Sequence, residues 1–408
     1  MSNRESDGKK CNDAKENLRK KVLRYLWRQG YSTRSGGFSL GPDPSKEDIR
    51  NLHARQRRFR LEKEGDFVRQ NAMQLALEFA EGSEINPSHI APELVPVLPN
   101  TRESMLFRFA CLLWSVPTSA GFGRRLRYLV RDASNGRLMG IFALGDPVFN
   151  LRVRDEWIGW NSEQKAERLC NVMEAYVVGA VPPYSQLLGG KLVAALAASN
   201  EVRRDFSTRY GLTTAVISGR CKHPRLVLVT TNSALGRSSM YNRLRICDVT
   251  RFNLIGKTQG YGYFHLDGGL FEEIRDLLVE MEHPYARGNR FGEGPNWKMR
   301  VLRVGLEELG IDTRVLRHGI SREVYAVPLG TGVTEYLSTG DDAFRPYDLP
   351  AAEIAYEWHR RWLLPRTGRG DDWQSITRSA ILASMLAVKP SLLRSVQKGN
   401  DTTRRRTS

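Results

Sequence analysis

The hydrophobic and polar positions of the chain are most regularly arranged between residues 226 and 266. In the run LVLVTT at 226–231, successive side chains alternate as they do in a buried β-strand. The run at 253–266 has the same character but is broken at Gly260 and Gly262, which predicts two short strands. A packed core does not require the polar segment between these strands, so this segment is the first candidate for binding or catalytic residues.

The preceding residues predict the rest of a mixed sheet. A β-hairpin is expected over 127–144, because Asn and Gly in the turn at 132–136 tolerate a positive φ. We then expect a helix at 162–173, a strand at 175–181 and a helix from about 187 to 210. This order predicts an α+β protein with a mixed-sheet central domain.

Two basic helices are predicted near the N-terminus. The first presents one apolar face, and the second begins near Ser45, with Asp48 three positions later as a weak capping box. The apolar residues of the first helix are Leu18, Val22, Tyr25 and Leu26. The basic residues of either helix could contact phosphates or form an ordinary solvated face, and the sequence leaves both interpretations open.

The predicted organisation has three regions. Four prolines between 81 and 99 indicate a linker, and a Gly/Arg/Pro-containing loop at 283–295 indicates a second boundary. We therefore predict a basic helical N-terminal region at 1–100, a central α/β domain at 101–283 and a small α/β C-terminal region with a basic tail at 284–408.

The charge of the chain indicates its class of partner. The formal net charge is +17: residues 1–70 carry +8, residues 121–262 carry +11, and the remaining residues together carry −2. Such concentration favours a polyanion, and we expect nucleic acid, with DNA as the anticipated form. A basic surface that only maintains solubility is the alternative.

Other classes are less consistent with the composition. No run of eighteen apolar residues is present, so we expect a cytoplasmic protein with no membrane partner. The five cysteines lack a repeated close spacing, which favours reduced thiols. Cys221, His223, Cys247 and His265 could be assembled into a zinc site, but ordinary thiols and a polar histidine are the preferred interpretation, and no metal is predicted.

The polar segment supplies the candidate binding residues. Arginine and lysine would contact phosphates, Tyr241 would stack on a base, and Asn242 would contact a base edge. The candidates are Arg220, Arg237, Ser238, Tyr241, Asn242, Arg243 and Lys257. In the structural alternative, Ser238 caps the next turn, Arg237 pairs with an acid and Tyr241 packs in the core.

A catalytic role has weaker candidates. Tyr241 could be a nucleophile and His265 a general acid or base, although a histidine among aromatic residues is more often structural. Asp146, Asp155 and Glu156 are the acids that could bind Mg²⁺ in a nuclease, if they converge. Whether the protein is an enzyme stays open.

Several of these segments carry a family resemblance. Arg127-Tyr128-Leu129-Val130, the 154–160 run RDEWIGW, the 182–189 run PPYSQLLG, Gly236 to Arg243 and the 256–260 run GKTQG are similar to the DruA family of Druantia anti-phage systems. The family domain has no established reaction and also occurs in proteins associated with transposases. The resemblance implies a component of a multi-protein antiviral system that includes a helicase.

A second resemblance concerns the fold. The order of strand, glycine-bearing turn, helix and strand resembles the Gcn5-related acetyltransferase fold, in which the turn cradles the pyrophosphate of coenzyme A. The corresponding residues are Gln186 to Lys191. Because Lys191 replaces the last small residue of that turn, we expect no acetyl-CoA site and predict no cofactor.

The sequence thus supports three hypotheses. The first is a DNA-recognition component of an antiviral system, which binds through its basic central domain. The second is a nucleic-acid-processing enzyme with nuclease- or transposase-associated activity. The third is a protein–protein scaffold of the defence complex, whose charge is incidental.

Overall fold

The computed structural model describes residues 2–28, 31–32, 37–38, 45–119, 123–214, 221–266, 269–287 and 297–386. The chain forms two compact units. Unit 1 consists of Met1–Phe59, Val216–Ser218 and Thr258–Arg322. Unit 2 consists of Arg60–Ala215, Gly219–Lys257 and Glu323–Ser408. The units are interleaved along the chain, because each is built from several separate segments.

Unit 2 is built on a seven-stranded sheet. Its strands are β1 (Pro92–Pro96), β2 (Arg125–Asp132), β3 (Arg137–Gly145), β4 (Val172–Ala180), β5 (Leu228–Asn232), β6 (Asn253–Lys257) and β7 (Glu323–Pro328). They lie in the order β6-β7-β5-β4-β3-β2-β1. Only the β4/β5 pair is parallel among these strands, and the other neighbours are antiparallel. The prediction of a mixed sheet is therefore confirmed.

The predicted β-hairpin is confirmed as β2 and β3. Their register pairs Asp132 with Arg137, and Gly136 has φ +71° in the turn between them. This positive φ is the conformation for which Asn-Gly turns are selected. In contrast, the expected second strand after Gly260 is wrong, because Phe264–Leu266 forms a 3-10 turn.

Fourteen α-helices are present in the described residues. They are α1 (Ser2–Arg28), α2 (Lys46–Lys63), α3 (Gly65–Ala76), α4 (Arg102–Ala110), α5 (Arg152–Ile158), α6 (Ser162–Arg168), α7 (Gly189–Leu196), α8 (Asn200–Tyr210), α9 (Leu270–Glu280), α10 (Trp297–Glu308), α11 (Val333–Thr339), α12 (Ala351–Trp358), α13 (Leu364–Thr367) and α14 (Arg378–Leu386). The predicted helix at 187–210 is two helices, because the chain turns at Ser199, which caps α8 by accepting from Val202 N. None of the described helices is both long enough and apolar enough to cross a bilayer.

The core of unit 2 lies on both faces of the sheet. On one face, Met173 and Val229 pack with Tyr241 and with helix α7. On the other face, Val172 and Leu228 pack with Trp160. Alternate residues of β4 and β5 therefore point to opposite cores, as expected for a strand covered on both sides.

Unit 1 is a helical unit. Val22 and Leu26 of α1 are 0% and 1% exposed, and they pack in one core with Leu278 of α9 and Leu302 of α10. These contacts confirm the apolar face predicted for the first helix. Basic residues of α1 flank this core, since Lys21 pairs with Glu273 of α9 and Lys15 with Glu308 of α10.

Candidate nucleic-acid interface

The polar segment after β5 is fixed to the start of β7 by Glu323. The Glu323 carbonyl accepts from Ser233 N at 2.8 Å, and Glu323 N donates to the Gly236 carbonyl at 2.9 Å. The Glu323 carboxylate is 8% exposed and accepts from Ser238 N at 3.0 Å. One acidic residue therefore sets the path of the loop that carries the predicted site.

Two of the predicted phosphate contacts lie beside this carboxylate. The Arg237 side chain is 75% exposed, and its Nε is 3.9 Å from the Glu323 carboxylate. Lys257 is the cross-strand partner of Glu323 and is also exposed. At 3.9 Å in contact with solvent, such an ion pair is weak, so the Arg237 guanidinium is free to contact an anion.

Tyr241 lies in the core, as in the structural alternative, and not on an exposed surface. It is 5% exposed, stacks on Phe252 with ring centroids 5.2 Å apart and also contacts Tyr325 at 5.3 Å. Burial raises the pKa of its hydroxyl to about 12, even though Thr231 hydrogen bonds to it. The cover on its ring and the raised pKa of its hydroxyl favour the structural alternative, in which Tyr241 packs in the core.

The remaining residues of the loop divide by exposure. Ser238 Oγ accepts from Tyr241 N at 3.0 Å and so stabilises the turn, as in the structural alternative. Asn242 and Arg243 are exposed. Arg243 has φ +59°, and no carboxylate pairs with it among the described residues. Arg220 lies outside the described residues.

A short hairpin adds two cations that the sequence analysis missed. Arg245 and Arg251 are direct partners in a two-stranded antiparallel ladder, and both are exposed. Asp248 lies 3.6 Å from Arg245, while Arg251 donates to the side chain of Asn253 at 2.9 Å. Like charges placed directly opposite each other destabilise a ladder, so this pair favours a bound anion. The sequence does contain a pattern that indicates these exposed cations, because Arg245 and Arg251 each stand next to an apolar residue, Leu244 and Phe252, that is buried in the structure.

His265 belongs to unit 1 and is a core residue there. It is 1% exposed, its Nε2 is 2.7 Å from the Val315 carbonyl, and its ring meets His318 edge to face at 6.1 Å. Burial lowers the pKa of His265 to about 4. A buried neutral ring that donates to a backbone carbonyl is typical of a structural histidine, which is the alternative to the catalytic expectation.

The three acids considered for Mg²⁺ are each paired with a basic side chain. Asp146 pairs with Arg124 at 2.8 Å and Glu156 with Arg152 at 2.6 Å. Asp155 is held by the neighbouring Arg154 at 2.6 Å. Across the described ranges, no three His, Cys, Asp or Glu residues are arranged to hold a metal ion.

Arg154 explains the charged run within the 154–160 segment. Its guanidinium is 0% exposed and donates to the carbonyls of Val148 and Phe149 at 2.8 and 2.9 Å as well as to Asp155. Burial alone would raise the pKa of Asp155, but Arg154, together with the hydrogen bond from Lys165, lowers it. The buried Arg154 side chain therefore holds α5 against the preceding loop.

The turn from Gln186 to Lys191, which was compared with the pyrophosphate cradle, uses its backbone amides in hydrogen bonds within the protein. Gly189 N donates to the Tyr184 carbonyl at 2.9 Å, and Lys191 N donates to the Leu188 carbonyl at 3.0 Å. A Cβ at Gly190 would meet the Met240 sulfur at 3.0 Å, and Lys191 Nζ donates to the Met240 carbonyl. The loop that carries the candidate interface therefore covers this turn.

Comparison with known proteins identifies the family. A family model described as Druantia protein DruA matches residues 43–339. A protein of Escherichia coli (strain UMEA 4076-1), named Druantia protein DruA, is 45% identical over 358 residues, which cover 88% of this chain and 89% of that protein. No solved structure matches the chain. The segments 127–130, 154–160, 182–189, 236–243 and 256–260 all lie within the matched residues, and the chain belongs to the Druantia protein DruA family.

Proposed function

We propose that this protein is the nucleic-acid-binding component of a Druantia-type anti-phage defence system and binds the phosphate backbone through unit 2. The observation that carries the proposal is the exposed pair Arg245 and Arg251, held directly opposite each other on one hairpin. Arg237, Arg243 and Lys257 are exposed on the same stretch of chain. Family membership supports the defence role, and the resemblance implies that a helicase is among its partner proteins.

We further infer that unit 2 has the arrangement of the Gcn5-related acetyltransferases without their cofactor site. The connection between the parallel neighbours β4 and β5 begins with a glycine-bearing turn and α7, as in the order on which the resemblance rests, and continues through α8. The internal hydrogen bonds of the turn and its cover by Met240 argue against a bound pyrophosphate. The same scaffold would then serve to present the basic loop.

The test is the salt dependence of duplex DNA binding by the full chain. Each phosphate contact contributes a slope of about −0.9 to the logarithm of the association constant against the logarithm of salt concentration. The double variant Arg245→Gln, Arg251→Gln should therefore lose affinity and flatten the slope by about 2. Single-stranded, forked and RNA probes measured in parallel give the preferred form.

A matched control removes two arginines from the other side of the same unit. Arg204 and Arg209 are exposed on α8, which contacts β2 through Tyr128 and Asp205. β2 is five places from β6 in the sheet, or about 24 Å at the usual strand spacing. The variant Arg204→Gln, Arg209→Gln should keep the slope of the natural protein. Equal slopes for all three proteins would overturn the proposal, and binding that is insensitive to salt would favour the scaffold hypothesis.

A further inference from the structure

Helices α1 and α2 enclose a groove in unit 1 that is lined almost entirely by cations. Its volume is about 430 Å³, and five of its seven lining residues are lysine or arginine. The lining residues are Asn17, Lys20, Lys21, Arg24, Tyr25, Arg28 and Arg55. The like charges that line such a groove repel one another unless acidic side chains or a bound anion balance them.

The acids within reach balance only part of the charge. Lys21 pairs with Glu273 at 2.7 Å, and Lys20 lies 3.5 Å from Glu16. In contrast, Arg24 and Arg28 are exposed and have no carboxylate partner in the described parts of the chain. Two guanidinium groups, one turn apart on α1, are therefore available to an anion.

Arg55 of α2 adds a third guanidinium in a fixed position. Its Cζ lies 3.9 Å from the centroid of the Tyr25 ring, which is a cation–π contact. This contact holds the charge against the wall of the groove, since Tyr25 is partly buried. The groove is thus lined by cations from both helices.

The shape of the cationic surface fits a strand of nucleic acid. From Asn17 to Arg28 the lining residues recur every three or four positions, so they follow one side of the helix over about 16 Å. A strand in duplex form rises about 3.4 Å per nucleotide and an unpaired strand can extend further, so this length corresponds to at most about five phosphates of one strand. A single free phosphate group would occupy only a small part of it.

Trp27 supplies an independent observation. Its side chain is 74% exposed, and it lies three residues after Arg24 and next to Arg28. Tryptophan is highly buried on average and is enriched at interfaces, so a ring this exposed is available for contact with a ligand. An aromatic ring beside a cationic groove is the arrangement that binds unpaired bases by stacking.

We propose that this groove binds a single-stranded segment of nucleic acid, with phosphates on Arg24, Arg28 and Arg55 and an unpaired base on Trp27. The site belongs to unit 1 and does not rest on the interface proposed for unit 2. Since the unpaired base is needed for stacking, this site should prefer single strands over duplexes.

The first test is the affinity of the full chain for a labelled 20-nucleotide single strand across a salt series. The triple variant Arg24→Gln, Arg28→Gln, Arg55→Gln should flatten the slope by about 2, at about 0.7 per phosphate contact. A control variant removes three cations from the same helices outside the groove, namely Arg19→Gln, Arg50→Gln, Arg58→Gln, and should keep the slope of the natural protein.

The second test separates stacking from charge. Trp27→Leu should weaken single-strand binding about fivefold or more and leave duplex binding and the salt slope unchanged. The matched control is Tyr356→Leu, because Tyr356 is also an aromatic residue, 69% exposed, on α12 of unit 2.

Two results would overturn the proposal. Single-strand binding that is identical in the groove and control variants would show that the groove takes no strand, even if the unit 2 variants lose duplex binding. Inorganic tripolyphosphate that displaces the strand at equal concentration would instead assign the groove to small phosphates. Failure of the unit 2 variants alone would leave this site unaffected.

Discussion

The buried histidines of unit 1 predict that its stability falls between pH 6.5 and pH 4. Burial lowers the pKa of His265 and of His53 to about 4, and that of His318 to about 3. The unfolded chain therefore binds protons that the folded unit does not bind in this window. The stability that depends on these neutral histidines is fully present above the unfolded pKa of about 6.5 and is lost as the pH falls toward the folded pKa.

The magnitude for one histidine follows from linkage. At pH 5, a residue with pKa values of about 6.5 unfolded and about 4 folded lowers the free energy of unfolding by about 2 kcal/mol relative to pH 7.5. The substitution His265→Gln removes this titration and retains an N–H that can donate to the Val315 carbonyl. The acid-induced loss of the variant should therefore be smaller by about 2 kcal/mol.

Hydrogen exchange with increasing urea gives the free energy of opening for peptides of α9 and α10 at both pH values. Exchange reports local units separately, so unit 1 can be followed within the full chain. His223→Gln is the control, because His223 is exposed in unit 2. An acid-induced loss that is the same in His265→Gln as in the natural protein would refute the reasoning.

Two further predictions concern unit 2. Arg154→Met removes a fully buried guanidinium and its hydrogen bonds to two carbonyls, leaves Asp155 with Lys165 as its basic partner, and should lower the free energy of unfolding in urea by about 3 kcal/mol, whereas the exposed Arg152→Gln should change it by less than about 0.5 kcal/mol. Tyr241→Phe keeps the stack on Phe252, so DNA affinity measured by fluorescence anisotropy should stay within twofold of the natural protein. A tenfold loss of affinity would instead show that the Tyr241 hydroxyl takes part in binding.

The features that sequence alone predicts here are local ones. The β2–β3 hairpin depends on an Asn-Gly turn and adjacent hydrophobic runs, and the apolar face of α1 depends on residues three or four positions apart. Exposure of Arg237 and Arg243 follows from their charge, which is costly to bury. These predictions need no knowledge of distant partners.

The errors arise where a distant residue decides the outcome. Tyr241 is a reasonable stacking group until Tyr325, 84 positions later, packs against it. The role of Glu323 in holding the loop cannot be read from its neighbours, since the contacts that hold the loop are with Ser233 and Ser238. Lys257 likewise pairs directly with Glu323 across a long excursion of the chain.

That excursion also sets the order in which the protein can be made. α1 ends at Arg28, and its partner α9 begins at Leu270, about 240 residues later. At about 5–20 residues per second, the ribosome needs about 12–50 s to supply that partner. During this time Val22 and Leu26 lack the residues of α9 and α10 that cover them in the folded protein. Unit 1 thus completes its core only after most of the sheet of unit 2 has been synthesised.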